Sequence, residues 1–326
     1  MEFEFTPYPD FNFLKSFAKE FGLPLAGNTL IIPSKMGSGS IRYIEFSPGF
    51  KLLFHSYTLF EDFVLIRTAP DKTSELVSMI CYSYKVPGVY SLNQKGTSSA
   101  NGFGGATIEL SSIHLNSQIR FKAGTKVFFT VIGIMKPLLS ELLHLKHSNS
   151  IVDTIMKENS SFLFHEKMWP EFQKKIALLA LINEEDSLSN FYFRIRVQEL
   201  IYLLFSKLLS RENKKQKGIK NSDVIKLYEI QSAIVTDLSS PPKLPELAKK
   251  VGMSETKMKA LFKQIFGDSI YNYYQATRME EAAFLLKHSD YGVSEIGFRL
   301  GFSNLSHFSR LFKKHYGMNP KRYSSV

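Results

Sequence analysis

The spacing of apolar residues changes character along the chain. From about residue 41 to 134, short runs rich in β-branched and aromatic residues recur, among them Ile41-Arg42-Tyr43-Ile44-Glu45-Phe46, Phe63-Val64-Leu65-Ile66-Arg67 and Val127-Phe128-Phe129-Thr130-Val131-Ile132. Clusters of turn residues separate them: Gly37-Ser38-Gly39-Ser40, Ser47-Pro48-Gly49, Pro87-Gly88 and Gly102-Phe103-Gly104-Gly105. Many short strands with frequent turns predict a β-sandwich or barrel. After Pro137 the texture turns helical, with short helices at Leu138–Leu145 and Ile151–Lys157 and longer ones at Gln173–Ile182 and Asn190–Glu212. The basic, polar stretch 214–221 reads as a linker. Beyond it six helices are predicted, at about 223–238, 244–251, 254–266, 270–287, 293–299 and 304–316. Ser239-Ser240-Pro241-Pro242 ends the first, since proline cannot continue a helix. Residues 1–35 read as an irregular or short helical lead-in.

The helix 190–212 carries two apolar stripes. One holds Phe193, Val197, Leu200, Ile201, Leu204 and Leu208; the other holds Phe191, Ile195, Tyr202, Phe205 and Leu209. A helix resting on one domain needs a single stripe. The second is therefore expected to pair with the same helix of another subunit, an isologous homodimer contact. The competing expectation is a helix sandwiched within its own domain.

Two stretches of the last third repeat one another. Leu247-Ala248-Lys249-Lys250-Val251-Gly252-Met253-Ser254 is followed by Leu261-Phe262-Lys263 and Gly267. Ile296-Gly297-Phe298-Arg299-Leu300-Gly301-Phe302-Ser303 is followed by Leu311-Phe312-Lys313 and Gly317. Each reads as a short helix, a glycine that accepts the left-handed conformation, a capping residue (Ser254, or Ser303 with Asn304) and a second helix. That is the sequence form of a helix-turn-helix.

In the second helix of each unit the apolar positions form one stripe: Met258, Leu261, Phe262 and Ile265, then Leu305, Phe308, Leu311 and Phe312. Thr256, Lys257, Lys259, Ala260, Lys263 and Gln264 remain for a partner in the first unit. In the second they are Asn304, Ser306, His307, Ser309, Arg310, Lys313 and Lys314. Arginine and lysine suit guanine O6/N7 and phosphates, and the small polar residues suit bases or backbone. Double-stranded DNA is the expected partner. The charge agrees without deciding the matter. Of 41 Lys plus Arg and 30 Asp plus Glu in 326 residues, residues 221–326 hold 15 and 10.

The segment from Gly301 to Tyr323, with Gly301-Phe302-Ser303-Asn304 and Gly317-Met318-Asn319-Pro320, closely resembles the C-terminal signature of AraC/XylS-type transcription regulators. The earlier repeat resembles that family's first helix-turn-helix, and Arg278-Met279 with Ala282, Leu285 and Leu286 its connecting helix. The resemblance covers about residues 225–324. Gly297 departs from the family's usual alanine, and Ala260 is small where a long polar side chain could read a base. The resemblance implies an α+β two-domain chain. Residues 1–213 would form a cupin-like β-barrel sensor (barrel about 41–134) with a helical dimerisation segment (about 138–212). A linker at 214–222 would lead to an all-α double helix-turn-helix domain at 223–326. It implies two recognition helices in successive major-groove segments. A connecting helix of about 18 residues, roughly 27 Å long, fits that spacing. It also implies a bacterial cytoplasmic regulator, an activator, that meets RNA polymerase.

Other chemistry is thin. His55 and His114 stand alone on β segments, and His144 and His147, at i and i+3 of a predicted helix, lack a third ligand. No catalytic residue, metal site or cofactor is expected. Gly102-Phe103-Gly104-Gly105 lacks the Lys-Ser/Thr of a phosphate loop. The single cysteine, Cys81, excludes an internal disulfide and reads as a packed strand residue. Neither a secretory leader nor a membrane span is expected. Three functions compete: a regulator sensing a small-molecule effector of unspecified identity, a regulator switched by a protein partner, and a cupin-like enzyme with a DNA-binding appendage. Missing catalytic residues disfavour the third. A large apolar cavity with a few polar groups would favour the first over the second.

Overall fold

The computed structural model describes residues 1–8, 10–71, 74–82, 106–182, 186–211 and 218–325. The turn signals at 87–88 and 102–105 and most of the expected linker lie outside them. The strands form two sheets. β1 (Glu2–Phe5), β5 (Phe63–Arg67) and β8 (Ser117–Phe121) make the smaller one. The larger one contains β2 (Thr29–Ile31), β3 (Gly37–Ser47), β4 (Phe50–Leu59), β6 (Leu76–Tyr82), β7 (Thr107–Ser112), β9 (Lys126–Met135) and β10 (Leu163–Lys167). Its order is β10-β7-β6-β9-β4-β3-β2.

This arrangement corrects the expected barrel. The large sheet ends on β2 and β10, which do not pair with each other, so its hydrogen bonding never closes. Closure fails because β5 and β8 leave that sheet. They pair instead with each other and, in parallel, with the N-terminal strand β1. The strand region also extends past 41–134 at both ends. β10 lies where helices were expected and pairs antiparallel with β7. The lead-in holds β1, β2 and α1 (Phe13–Glu20), which Asn12 caps through its Oδ1.

The large sheet is covered on both faces. On one, Leu52, Phe54, Met79, Ile108, Leu110 and Phe164 pack against a helical layer. The layer comprises α2 (Lys136–Leu143), α3 (Ser150–Met156), α4 (Pro170–Leu179) and α5 (Ser189–Leu209). All six residues of the first α5 stripe are buried there. The second stripe divides. Phe191, Ile195 and Tyr202 are exposed, but Phe205 is 2% exposed and lies in this core, with Leu209 half-buried beside it. Phe205 and Leu209 are therefore not part of an open dimerisation face. α4 packs beside α5 and covers that side of the helix. His144 and His147 do not share a helix either, since α2 ends at Leu143 and His144 caps it with φ 36°.

The opposite face is shared. The small sheet and α1 cover its β2–β3–β4–β9 half around Ile41, Leu53, Tyr57, Phe63, Ile119 and Phe129. The C-terminal helices cover the β7–β10 edge, where Leu163 and Leu115 join the C-terminal core. Two histidines are fully buried on this face. His55 stacks on Phe129 with centroids 4.0 Å apart, and His165 lies 5.2 Å from Phe266 of the C-terminal domain. Burial pushes both imidazoles down to about 3, and Lys167 and Arg211 add to the effect at His165. Cys81 is buried, and burial raises its thiol.

Both histidines are expected to make stability fall in acid. The unfolded chain takes up protons below about 6.5, whereas the folded chain excludes them down to about 3. This stabilisation is present above pH 6.5 and is lost as pH falls, at up to about 1.4 kcal/mol per pH unit for each histidine. Urea unfolding between pH 7 and 4 should show the decline, and His55→Leu should reduce its slope by about one proton. An unchanged slope would show that His55 is protonated in the folded chain.

Candidate nucleic-acid interface

The C-terminal domain consists of α6 (Asn221–Thr236), α7 (Leu244–Lys250), α8 (Glu255–Phe266), α9 (Ile270–His288), α10 (Val293–Arg299), α11 (Leu305–Tyr316) and α12 (Pro320–Ser325). Helices α7–α8 and α10–α11 are two copies of one local design. Ser254 Oγ accepts from Lys257 N at 3.3 Å, and Asn304 Oδ1 accepts from His307 N at 3.1 Å. Each second helix ends on a left-handed glycine, Gly267 (φ 76°) or Gly317 (φ 75°), whose N–H bonds back to the lysine four residues earlier. Met258, Leu261, Phe262 and Ile265 bury the inner face of α8. In α11, Phe308 and Phe312 are fully buried, while Leu305 and Leu311 are only half-buried.

The turn glycines differ in what they tolerate. At Gly252 (φ 58°) an added Cβ would meet only Lys226 Nζ, at an ordinary 3.8 Å. Gly301 (φ 75°) lies under the Ser239 carbonyl, which an added Cβ would approach to 1.7 Å. Gly297 lets α10 approach α11, because a Cβ there would meet Leu305 Cδ2 at 2.6 Å.

Helix α9 holds the two units apart. Its 19 residues span about 28 Å. At one end Tyr273 packs edge-on to Phe262, with its hydroxyl accepting from Gln231. At mid-helix, the buried Arg278 guanidinium donates from Nε and Nη2 to Leu300 O and stacks 3.7 Å over Phe302. This clamp fixes the turn of the second unit.

Of the candidate contact residues, Thr256, Lys257, Lys259, Ala260, Lys263, Asn304, Ser306, His307, Arg310, Lys313 and Lys314 are exposed, and Gln264 and Ser309 are half-buried. Their charges are not equivalent. Lys257 Nζ is bound to the largely buried Asp223 of α6 at 2.6 Å, and Lys259 to Glu255 at 2.8 Å. Arg310, Lys313 and Lys314 make no ion pair among the described residues, and residues 301–326 contain no acid. The two units are thus alike in backbone but unequal in charge. Net positive potential concentrates on α11.

A second feature lies between the two sheets and had no sequence motif. It is a cavity of about 790 Å³, its mouth included, lined by rings such as Phe5, Phe13, Tyr43 and Phe129. Two cations, Lys51 and Arg67, also line it, each 6% exposed. The available signal was a lone cation in each of two apolar strand runs, 50–54 and 63–67. Among the described residues no cluster of three or more metal-ligating side chains occurs, and no helix is long and apolar enough to cross a membrane.

Residues 247–325 match the model of a helix-turn-helix domain. The chain is 25% identical over 168 residues to the HTH-type transcriptional activator RhaR of Mannheimia succiniciproducens, covering 52% of this chain and 59% of that one. It is 29% identical over 104 residues to the multiple antibiotic resistance protein MarA of Escherichia coli, covering 32% and 82%. A solved transcriptional regulator with an AraC-type DNA-binding domain, from Chromobacterium violaceum, is 28% identical. It covers 32% of this chain and 95% of its own, with a TM-score of 0.31. The C-terminal third is thus similar to the corresponding part of AraC-family regulators, which are not enzymes.

Gly252→Ala is expected to cost about 1–2 kcal/mol, the left-handed penalty of an L residue. Gly301→Ala should cost roughly 1–3 kcal/mol more, because the Ser239 backbone must also move. Denaturant unfolding of the two variants measures the difference, and equal losses would mean that the 239–242 loop yields freely.

Proposed function

We propose that this chain is a sequence-specific DNA-binding transcription regulator whose N-terminal domain responds to a small-molecule effector. The observation that carries the DNA-binding part is the repeated helix-turn-helix. Two capped helices present polar, acid-poor faces, and α9 holds them near one helical turn of DNA apart. Arg310 acts as a base reader, while Lys313, Lys314 and Lys263 meet phosphates. Thr256, Ala260 and Ser306 approach base edges or methyls, and Asn304, His307, Ser309, Lys259 and Gln264 flank them. Lys257 serves chiefly to hold α8 against α6. RhaR and RhaS are by name transcriptional activators, which supports an activating role. The ring-lined cavity supports a small-molecule effector over control by a protein partner alone.

The chain acts as a homodimer in this reading. Leu188, Phe191, Ile195 and Tyr202 leave large apolar side chains exposed along one side of α5, from 40% to 65%. Such a row favours a partner surface.

Arg310→Ala should weaken binding to a duplex selected by the wild-type chain by about 1–3 kcal/mol, with a smaller loss on random duplex. Lys313→Ala should weaken both evenly and reduce the salt slope by about one. Equal losses on both duplexes for Arg310→Ala would reassign it to phosphate. The assembly has its own test. Phe191→Glu with Tyr202→Glu should leave the fold intact and convert a dimer to a monomer in sedimentation. A wild-type chain that is monomeric at micromolar concentration, with and without DNA, would refute the dimer.

A further inference from the structure

Two lysines in the first half of α8 are paired, but to carboxylates in different surroundings. Lys259 reaches Glu255, one turn back on the same helix, at 2.8 Å, and both side chains stay open to water, at 51% and 38% exposed. Lys257 leaves its own helix and reaches Asp223, in the first turn of α6, at 2.6 Å. Its side chain is 50% exposed, whereas that of Asp223 is 10% exposed. The pair sits where α6 meets α8. Val224, beside Asp223, and Met258, beside Lys257, both enter the C-terminal core. Lys226, one turn further along α6, donates from Nζ to Gly252 O at 2.9 Å. Helix α6 therefore grips the turn of the first unit as well as its second helix.

This difference decides which lysine a phosphate can take. An exposed pair is worth little, because water screens it and solvates both partners once it opens. Lys259 can exchange Glu255 for a phosphate at small cost. Opening the other pair strands a carboxylate that water reaches poorly, and leaving one partner of a buried pair uncompensated is far more costly. Lys257 is the third residue of α8, and the N-terminal residues of a recognition helix lie nearest the groove. Asp223 thus withholds a cation from the end of α8 that would meet DNA.

We propose that Asp223 is a positioning residue for DNA binding: by holding Lys257 it limits the attraction of the first unit for phosphates of any sequence. The proposal rests on the DNA-binding reading above and adds to it a residue outside both recognition helices. The phosphate contribution to affinity is blind to sequence, and this chain already carries a formal net charge of +11. A further unpaired lysine would tighten binding to every duplex. Base reading on α8 falls to the small, uncharged Thr256 and Ala260, so added charge there brings affinity without discrimination.

Titration of the full chain with a random-sequence duplex of about two helical turns tests this, between about 0.05 and 0.2 M salt. Asp223→Asn keeps the size of the side chain and removes its charge. It should bind the random duplex about threefold or more tighter than the wild type at the lower salt. The slope of log affinity against log salt should steepen by about 0.9, the value of one added phosphate contact. Glu255→Gln is the control, since it removes one negative charge from the same end of α8 and changes the net charge equally. Its slope should steepen by less than half as much. Asp223→Asn combined with Lys257→Gln should lose the steepening. If Asp223→Asn does not fold by circular dichroism, Asp223→Ser takes its place under the same expectations. An unchanged slope in Asp223→Asn would overturn the proposal and leave DNA binding standing. Equal steepening in Glu255→Gln would overturn it in favour of net charge alone, and steepening kept in the double variant would show that Lys257 is not the cation released. A wild-type chain that binds neither this duplex nor a selected one at the lower salt would overturn the DNA-binding reading and the proposal together.

Discussion

Glu109 is a carboxylate on a strand buried on both faces, and a buried carboxylate demands donors. The sheet alone does not supply them. One comes from Ser111, on the same strand and the same face, and the other from Tyr228 of the C-terminal domain. Burial in turn raises the Tyr228 hydroxyl well above its ordinary range, so it stays protonated and remains a donor. The pair ties the docking of two domains to one buried charge. Losing the dock strands a carboxylate on the sheet, and losing the carboxylate strands a hydroxyl under α6.

The surrounding contacts follow the same pattern. Lys167 bridges to Glu280 and Thr277 of α9. Arg211 pairs with Glu166, whose carboxyl burial pushes upward, and also donates to the carbonyls of Gln264 and His165. Asn221 exchanges bonds with Asn116 and His114. The apolar part of the seam is narrower, with Leu115 and Leu163 entering the C-terminal core. A dock built largely from ion pairs and hydrogen bonds holds geometry firmly but contributes modest net stability. Such a joint suits a domain whose position a ligand can bias.

The C-terminal domain was largely legible in the sequence because its elements are set locally. Glycines with positive φ, capping Ser254 and Asn304, and apolar stripes at helical spacing place each of the six expected helices within two residues, while the short α12 was not expected. The N-terminal domain was less legible because its strands are set by distant partners. β10 buries Leu163, Phe164, His165 and Glu166 in succession, since both faces are covered, and such a run has no alternation to mark it as a strand. β1 exists only through its parallel pairing with β5, about 60 residues away. Phe205 was misplaced for a related reason. Its angular position on α5 sets it apart from the sheet-facing stripe, but a neighbouring helix covers that side too. Lys51 and Arg67 were visible as residues, yet their convergence on one cavity depends on the stacking of two sheets, which no local pattern records.

The two helix-turn-helix units show why repetition in sequence does not imply equivalence in charge. The backbone solution is the same in both, down to the left-handed glycine after each second helix. The charges are spent differently. In α8, Lys257 is bound to Asp223, and that bond fastens the first unit to α6, the helix that also carries Tyr228. In α11, Arg310, Lys313 and Lys314 are exposed and make no ion pair among the described residues. The unit nearer the domain joint thus contributes a basic side chain to position, and the cations of the farther unit stay exposed. Since α9 and the Arg278 clamp fix the second unit relative to the first, any shift of α6 on the sheet carries the charged α11 with it.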